Sequence, residues 1–193
     1  MSAPNLMPAV TDAQHEARFQ FAIQAFTANY DPVEDRIRLN AIDGAGIKQS
    51  ILLTRRLMDQ VIPVIAKDLE AKIPQGVPAD IVQSMTQERV RQVRREARAS
   101  GAVPKPVARE PETPDWLCRT IHFKRVPNGL VAVLTDDRNV DAVLQLAEAN
   151  QRVLLDILRA TYRKACWDPR VFPEWMKLEQ WPTVRQGARV VMN

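Results

Sequence analysis

Apolar and polar residues alternate along two stretches of this chain, and each stretch runs into a helical repeat. The first reads IRLNAIDGAGIKQSILLT over 37–54. Ile37, Leu39 and Ala41 alternate with Arg38 and Asn40, Asp43-Gly44-Ala45-Gly46 turns the chain, and Ile47, Ile51 and Leu53 follow. A period of two predicts half-buried strands, and a glycine-bearing turn between them predicts a hairpin. The second stretch reads WLCRTIHFKRVPNGLVAVLT over 116–135, with a strand predicted on each side of Asn128-Gly129. Both end in Leu-Thr. A further strand is predicted from Phe19 to Ala25, broken by Asp31-Pro32.

Thr54 stands where a helix N-cap belongs, and Leu57, Val61, Ile65 and Leu69 follow at helical spacing. Pro63 is expected to kink that helix, and Pro74 and Gly76 end it. A second helix is predicted over 80–99, with Val82, Met85, Val93 and Ala97 as its apolar stripe. Residues 100–114, SGAVPKPVAREPETP, carry four prolines and predict an extended linker. The last helix is predicted over 140–166, with Val140, Val143, Leu144, Ala147, Leu154, Leu158 and Tyr162 on one face.

These elements predict an α+β fold. Two antiparallel strand-turn-strand-helix units, a candidate internal pseudo-repeat, are joined by a basic helix and a proline-rich linker. The units span 15–99 and 115–167, with a flexible arm at 1–14, the linker at 100–114 and a tryptophan- and proline-rich tail at 168–193. Sheets of two or three strands are marginal alone, so the units are expected to pack as one domain.

Composition adds limits. The 193 residues are 46% apolar and 26% charged, ordinary globular usage. No apolar run approaches the roughly 18 residues that span a bilayer. The first residues lack the basic start and apolar stretch of a signal peptide, so a cytoplasmic location is expected, with Cys118 and Cys166 as reduced thiols. Arginine outnumbers lysine 20 to 7, usage common in GC-rich bacteria. The net charge of +4 is concentrated: residues 86–110 hold seven basic groups against Glu88, Glu96 and Glu110.

Catalytic chemistry finds little to stand on. Cys118 and His122 share a strand face, but four strand residues span about 13 Å, beyond proton-transfer reach. Asp136-Asp137 suits a magnesium site or the N-terminus of the following helix, and the latter is the simpler reading. No glycine-rich phosphate loop, metal-ligand spacing or cofactor motif is present. Thr54, Arg55 and Arg56 form a candidate anion site at a helix N-terminus, unless Asp59 neutralises the arginines along the helix.

Two leads remain. Arg89, Arg91, Arg94, Arg95 and Arg98 lie about a turn apart and predict either a positive strip for nucleic acid or an acidic partner, or a solvated helix face. No aromatic residue lies between Gly76 and Trp116 to stack on bases. Trp167, Phe172, Trp175 and Trp181 predict either a partner-docking segment or a lid folded over the chain's own core.

The element order, strands, a helical pair, more strands and a long helix, resembles that of the head-and-stalk proteins of end-joining repair and centriole cartwheels, with no shared motif. The likeness implies dimerisation through the last helix, with Asn150-Gln151 setting register. The expected function is a non-catalytic interaction or assembly protein, a homo-oligomer with a protein partner. A nucleic-acid-binding accessory protein using the basic helix is the alternative. A small enzyme would need Asp136, Asp137, His122 or the Arg55-Arg56 pair to converge in one cleft.

Overall fold

The computed structural model describes residues 19–102, 105–137 and 140–177. The fold is α+β, with eight strands in two sheets among the described residues. Strands β1 (Phe19–Ile23), β2 (Ala25–Asp31), β3 (Arg36–Ile42) and β4 (Lys48–Leu53) precede helices α1 (Arg55–Glu70) and α2 (Ala79–Ala99). Strands β5 (Asp115–Leu117), β6 (Thr120–Val126), β7 (Gly129–Thr135) and β8 (Val140–Ala147) precede α3 (Glu148–Ala165), a short 3-10 turn (Pro169–Val171) and α4 (Glu174–Lys177).

The two sheets have orders β1-β8-β7-β6 and β2-β3-β4-β5. Each contains a three-stranded antiparallel meander from one half of the chain, completed by a parallel strand from the other half. β1 joins β8, with Phe21 opposite Ala142, and β5 joins β4, with Trp116 opposite Ile51. Two segments that alternation alone reads as single strands are therefore each divided between sheets. Gln24 bends the chain from β1 into β2, donating its N–H to the Ile42 carbonyl. Cys118 and Arg119 do the same between β5 and β6, donating to the Leu52 and Thr135 carbonyls. With their backbone donors met in this way, both crossings need neither proline nor glycine.

One boundary differs in kind. The helix predicted from residue 140 begins at Glu148, and residues 140–147 form β8. Val-Asp-Ala-Val-Leu-Gln-Leu-Ala suits either period. Burial of Ala142, Leu144 and Leu146, with Gln145 outside, follows the period of two, because β1 and β7 offer hydrogen-bonding edges on both sides. Asp136 and Asp137 consequently lie in the turn between β7 and β8 and do not cap a helix. Asp136 is buried, and Asp137 faces Arg119 at 3.4 Å.

The core lies between the inner faces of the sheets and the helices α1 and α3. Ile37, Leu39, Ile51 and Leu53 meet Ile62, Ile65, Leu155 and Leu158 there. α1 is capped as its sequence predicts, Thr54 Oγ1 accepting from the Leu57 N–H at 3.2 Å, and it continues through Pro63. α3 spends its apolar face inside this chain: Leu154, Leu155, Leu158 and Tyr162 are buried. Gln151, read above as a register element, donates to Asp68 (3.0 Å) and to the Leu146 carbonyl (3.1 Å). The linker runs along the outer side of the second sheet. Val107 donates its N–H to Thr27 Oγ1, and Lys48 pairs with Glu110.

α3 ends with Cys166 in the left-handed region at φ 54°, and the Trp167 N–H returns to the Tyr162 carbonyl. This termination turns the chain back across the core. Trp167 and Phe172 meet the Tyr162 ring edge-on at 5.0 and 5.2 Å, and Trp175 is buried with its indole N–H on Glu70 at 2.9 Å. Those three aromatics cover the chain's own core, as a lid does. Trp181 and residues 1–14 lie outside the described residues.

Candidate functional site

α2 is turned the opposite way from its predicted stripe. Met85 and Val93 are 69% and 56% exposed, Ile81 is 58% exposed, and the residues facing the body are Gln83 and Gln87. The physical reason is hydrogen bonding. Gln83 Nε2 donates to the Leu69 carbonyl at 2.7 Å, near the end of α1, and Gln87 Nε2 to the Arg152 carbonyl at 3.1 Å. Arg91 Nε then reaches Asp156 at 2.9 Å. The last two contacts both join residues 65 apart, so α2 and α3 run side by side in the same direction.

That alignment builds a groove of about 360 Å³ between the two helices, with Ala28 and Asn29 of β2 as its floor. Arg91, Arg94, Arg95 and Arg98 line one wall, and Asp156, Thr161 and Lys164 belong to the other. Five cations thus share a concave surface with one carboxylate. Glu88 approaches from outside, at 2.6 Å from Arg95 and 3.6 Å from Arg91. Arg94, Arg98 and Lys164 have no ion-pair partner among the described residues. The Arg94 guanidinium has its pKa lowered, first by burial and then by the neighbouring Arg98 charge.

Cations near helix C-termini also complement the helix dipole, and Arg98, Arg163 and Lys164 occupy the last turns of α2 and α3. That effect is worth about 0.3–1 kcal/mol per end and is met by a single charge at each. It leaves Arg94 unexplained, half-buried and a turn before the end. Arg95, Arg98 and Lys164 are exposed along the groove, and Arg94 is half-buried in it.

The other candidates are not gathered. Arg89 is exposed and lies outside the groove lining, a helical turn from Met85 and Val93. Arg38 is held on the linker side of its sheet: burial opposes its charge, but bonds to Asp115 and Asp31 (each 2.6 Å) outweigh this and raise its pKa. Arg36 pairs with Glu34, so neither arginine extends the groove. At the N-terminus of α1, Thr54 already accepts the Leu57 amide and Arg55 sits 3.5 Å from Asp59, while Arg56 is exposed. Asp136, Asp137, His122, Arg55 and Arg56 line neither the groove nor the small core cavity. No group of three or more His, Cys, Asp or Glu suited to a metal occurs among the described residues.

Cys118 is buried, with its thiol on the Thr120 carbonyl at 3.2 Å, and burial pushes its pKa up to about 12. The neutral thiol is a poor nucleophile. Cys166 is exposed. A thiol reagent at pH 8 is expected to label one cysteine rapidly and the second only on unfolding, and peptide mapping should place the early label on Cys166. Prompt labelling of Cys118 in the folded protein would contradict this burial.

Asp156, Lys164 and Thr161 were not readable as site residues. Each is an ordinary helix residue in sequence, and only the parallel pairing of α2 with α3 makes them the second wall. Comparison with protein-family models, with curated proteins and with solved structures finds no match for this chain. No helix among the described residues is long and apolar enough to cross a membrane.

Proposed function

We propose that this protein is a non-catalytic nucleic-acid-binding accessory protein that grips the phosphate backbone in the groove between α2 and α3. The observation that carries the reading is the set of Arg94, Arg98 and Lys164 along the groove, Arg94 half-buried near Asp156 and the other two exposed, none of them in an ion pair among the described residues. From Arg91 to Arg98 the wall rises about 10 Å, about three nucleotide steps at about 3.4 Å each. The groove lining contains no aromatic ring, so contact is to phosphate and largely independent of sequence.

The test is fluorescence anisotropy with labelled single- and double-stranded DNA and RNA at 50 and 200 mM salt. Three neutralised phosphates give a slope of log affinity on log salt between about −2 and −3, so the fourfold change in salt should weaken binding about 20- to 40-fold. Absence of binding to all four probes at 50 mM would remove the reading.

A second reading, an assembly role, has its own observation: the outward face of α2 presents Ile81, Met85 and Val93 to solvent. On that reading the chain self-associates through this face. Light scattering after size exclusion should then give at least a dimer for the wild type and a monomer for Met85→Glu with Ile81→Glu. A monomeric wild type at 100 μM would rule it out.

A further inference from the structure

Resting on the nucleic-acid reading of the groove, we infer that Asp156 is a positioning residue that holds Arg91 in the wall and keeps the grip on the phosphate chain weak enough to be reversible. The Arg91 and Asp156 side chains are only 14% and 11% exposed, and they meet at 2.9 Å. The pair is thus the most enclosed charged element of the groove. Its carboxylate stands among five cations, the one group there that a phosphate must approach against repulsion.

Two consequences separate this role from that of a simple strut between helices. Replacing the carboxylate by its neutral isostere loosens Arg91, which Glu88 still approaches at 3.6 Å, and removes the repulsion, so binding must tighten. A strut, when weakened, loosens the wall, so binding must weaken. Removing both members of the pair deletes a charge-neutral unit and should leave affinity nearly unchanged.

The measurement is anisotropy with a labelled 20-nucleotide strand across a salt series. It is made on the full chain as wild type, Asp156→Asn, Asp156→Glu and the double variant Arg91→Gln with Asp156→Asn. Urea unfolding of each protein establishes that it is folded at the assay temperature. Asp156→Asn is expected to bind about 3- to 10-fold more tightly at 50 mM salt and to steepen the salt slope by about one. The Glu variant and the double variant should stay within about twofold of wild type.

Equal or weaker binding by folded Asp156→Asn would overturn the inference. Should that variant fail to fold, a loss of more than about fivefold in the double variant would overturn it by showing that Arg91 itself holds the ligand. A wild type that binds no nucleic acid at 50 mM would instead defeat the underlying reading of the groove. Tight wild-type binding with unaltered Asp156→Asn would leave that reading standing and sink only this one.

Discussion

Ending the chain after Cys166 is expected to unfold it. The truncation removes Trp167, Phe172, Trp175 and Met176, all buried, and strips the covering rings from Tyr162. It also leaves Glu70 and Asp35 without the indole donors they accept. A single Phe-to-Ala change at a buried site costs about 3–5 kcal/mol, against a total stability of about 5–15 kcal/mol for an ordinary domain. Four such losses together exceed what a fold of this size carries. The milder Phe172→Ala is expected to lower the urea midpoint by the equivalent of about 3–5 kcal/mol, and Phe172→Leu by much less. A truncated chain with an unchanged unfolding midpoint would show that the aromatic tail is no lid.

The second large effect belongs to the groove. Arg94→Glu with Arg98→Glu removes two phosphate contacts and places two like charges against the ligand. Affinity for single- or double-stranded probes at 50 mM salt should fall at least about 100-fold. The fold should survive, because neither side chain has an ion-pair partner among the described residues. Arg38 is the useful contrast. Arg38→Gln is expected to leave binding unchanged while lowering stability, since it breaks a partly buried network with Asp31, Asp115 and Ser50. If Arg38→Gln abolished binding and the groove reversal did not, the site would lie elsewhere.

How much of this was legible beforehand follows from what each pattern encodes. The hairpins around Asp43–Gly46 and Asn128-Gly129 were readable because period, turn chemistry and length agree there. Thr54 declared its helix for the same reason. The division of Phe19–Asp31 between two sheets was not readable, since Gln24 carries no breaker and alternation persists through it. The exchange of β1 and β5 between halves is likewise invisible, because the parallel pairs join residues far apart in the chain, Phe19 with Val140 and Ser50 with Asp115. β8 failed by degeneracy: its apolar positions satisfy both periods, and hydrogen-bonding partners on either side decide between them.

The site divides in the same way. The basic run on α2 was visible as composition, and four of its five arginines line the groove. The orientation of α2 was not visible, because an apolar stripe normally predicts the buried face and here glutamines hold that place. Gln83 and Gln87 are buried by bonding backbone carbonyls of α1 and α3, a tertiary effect that overrides the apolar pattern. Asp156 and Lys164 carry no signal until their wall exists.

Photo-crosslinking of a thio-substituted oligonucleotide, followed by mass mapping of the adducts, tests the central claim most directly. Adducts confined to residues 91–98 of α2 and 157–164 of α3, and lost in the Arg94→Glu, Arg98→Glu variant, are the predicted result. Adducts on the outer face of the β1-β8-β7-β6 sheet, with the α2–α3 groove unlabelled, would contradict it.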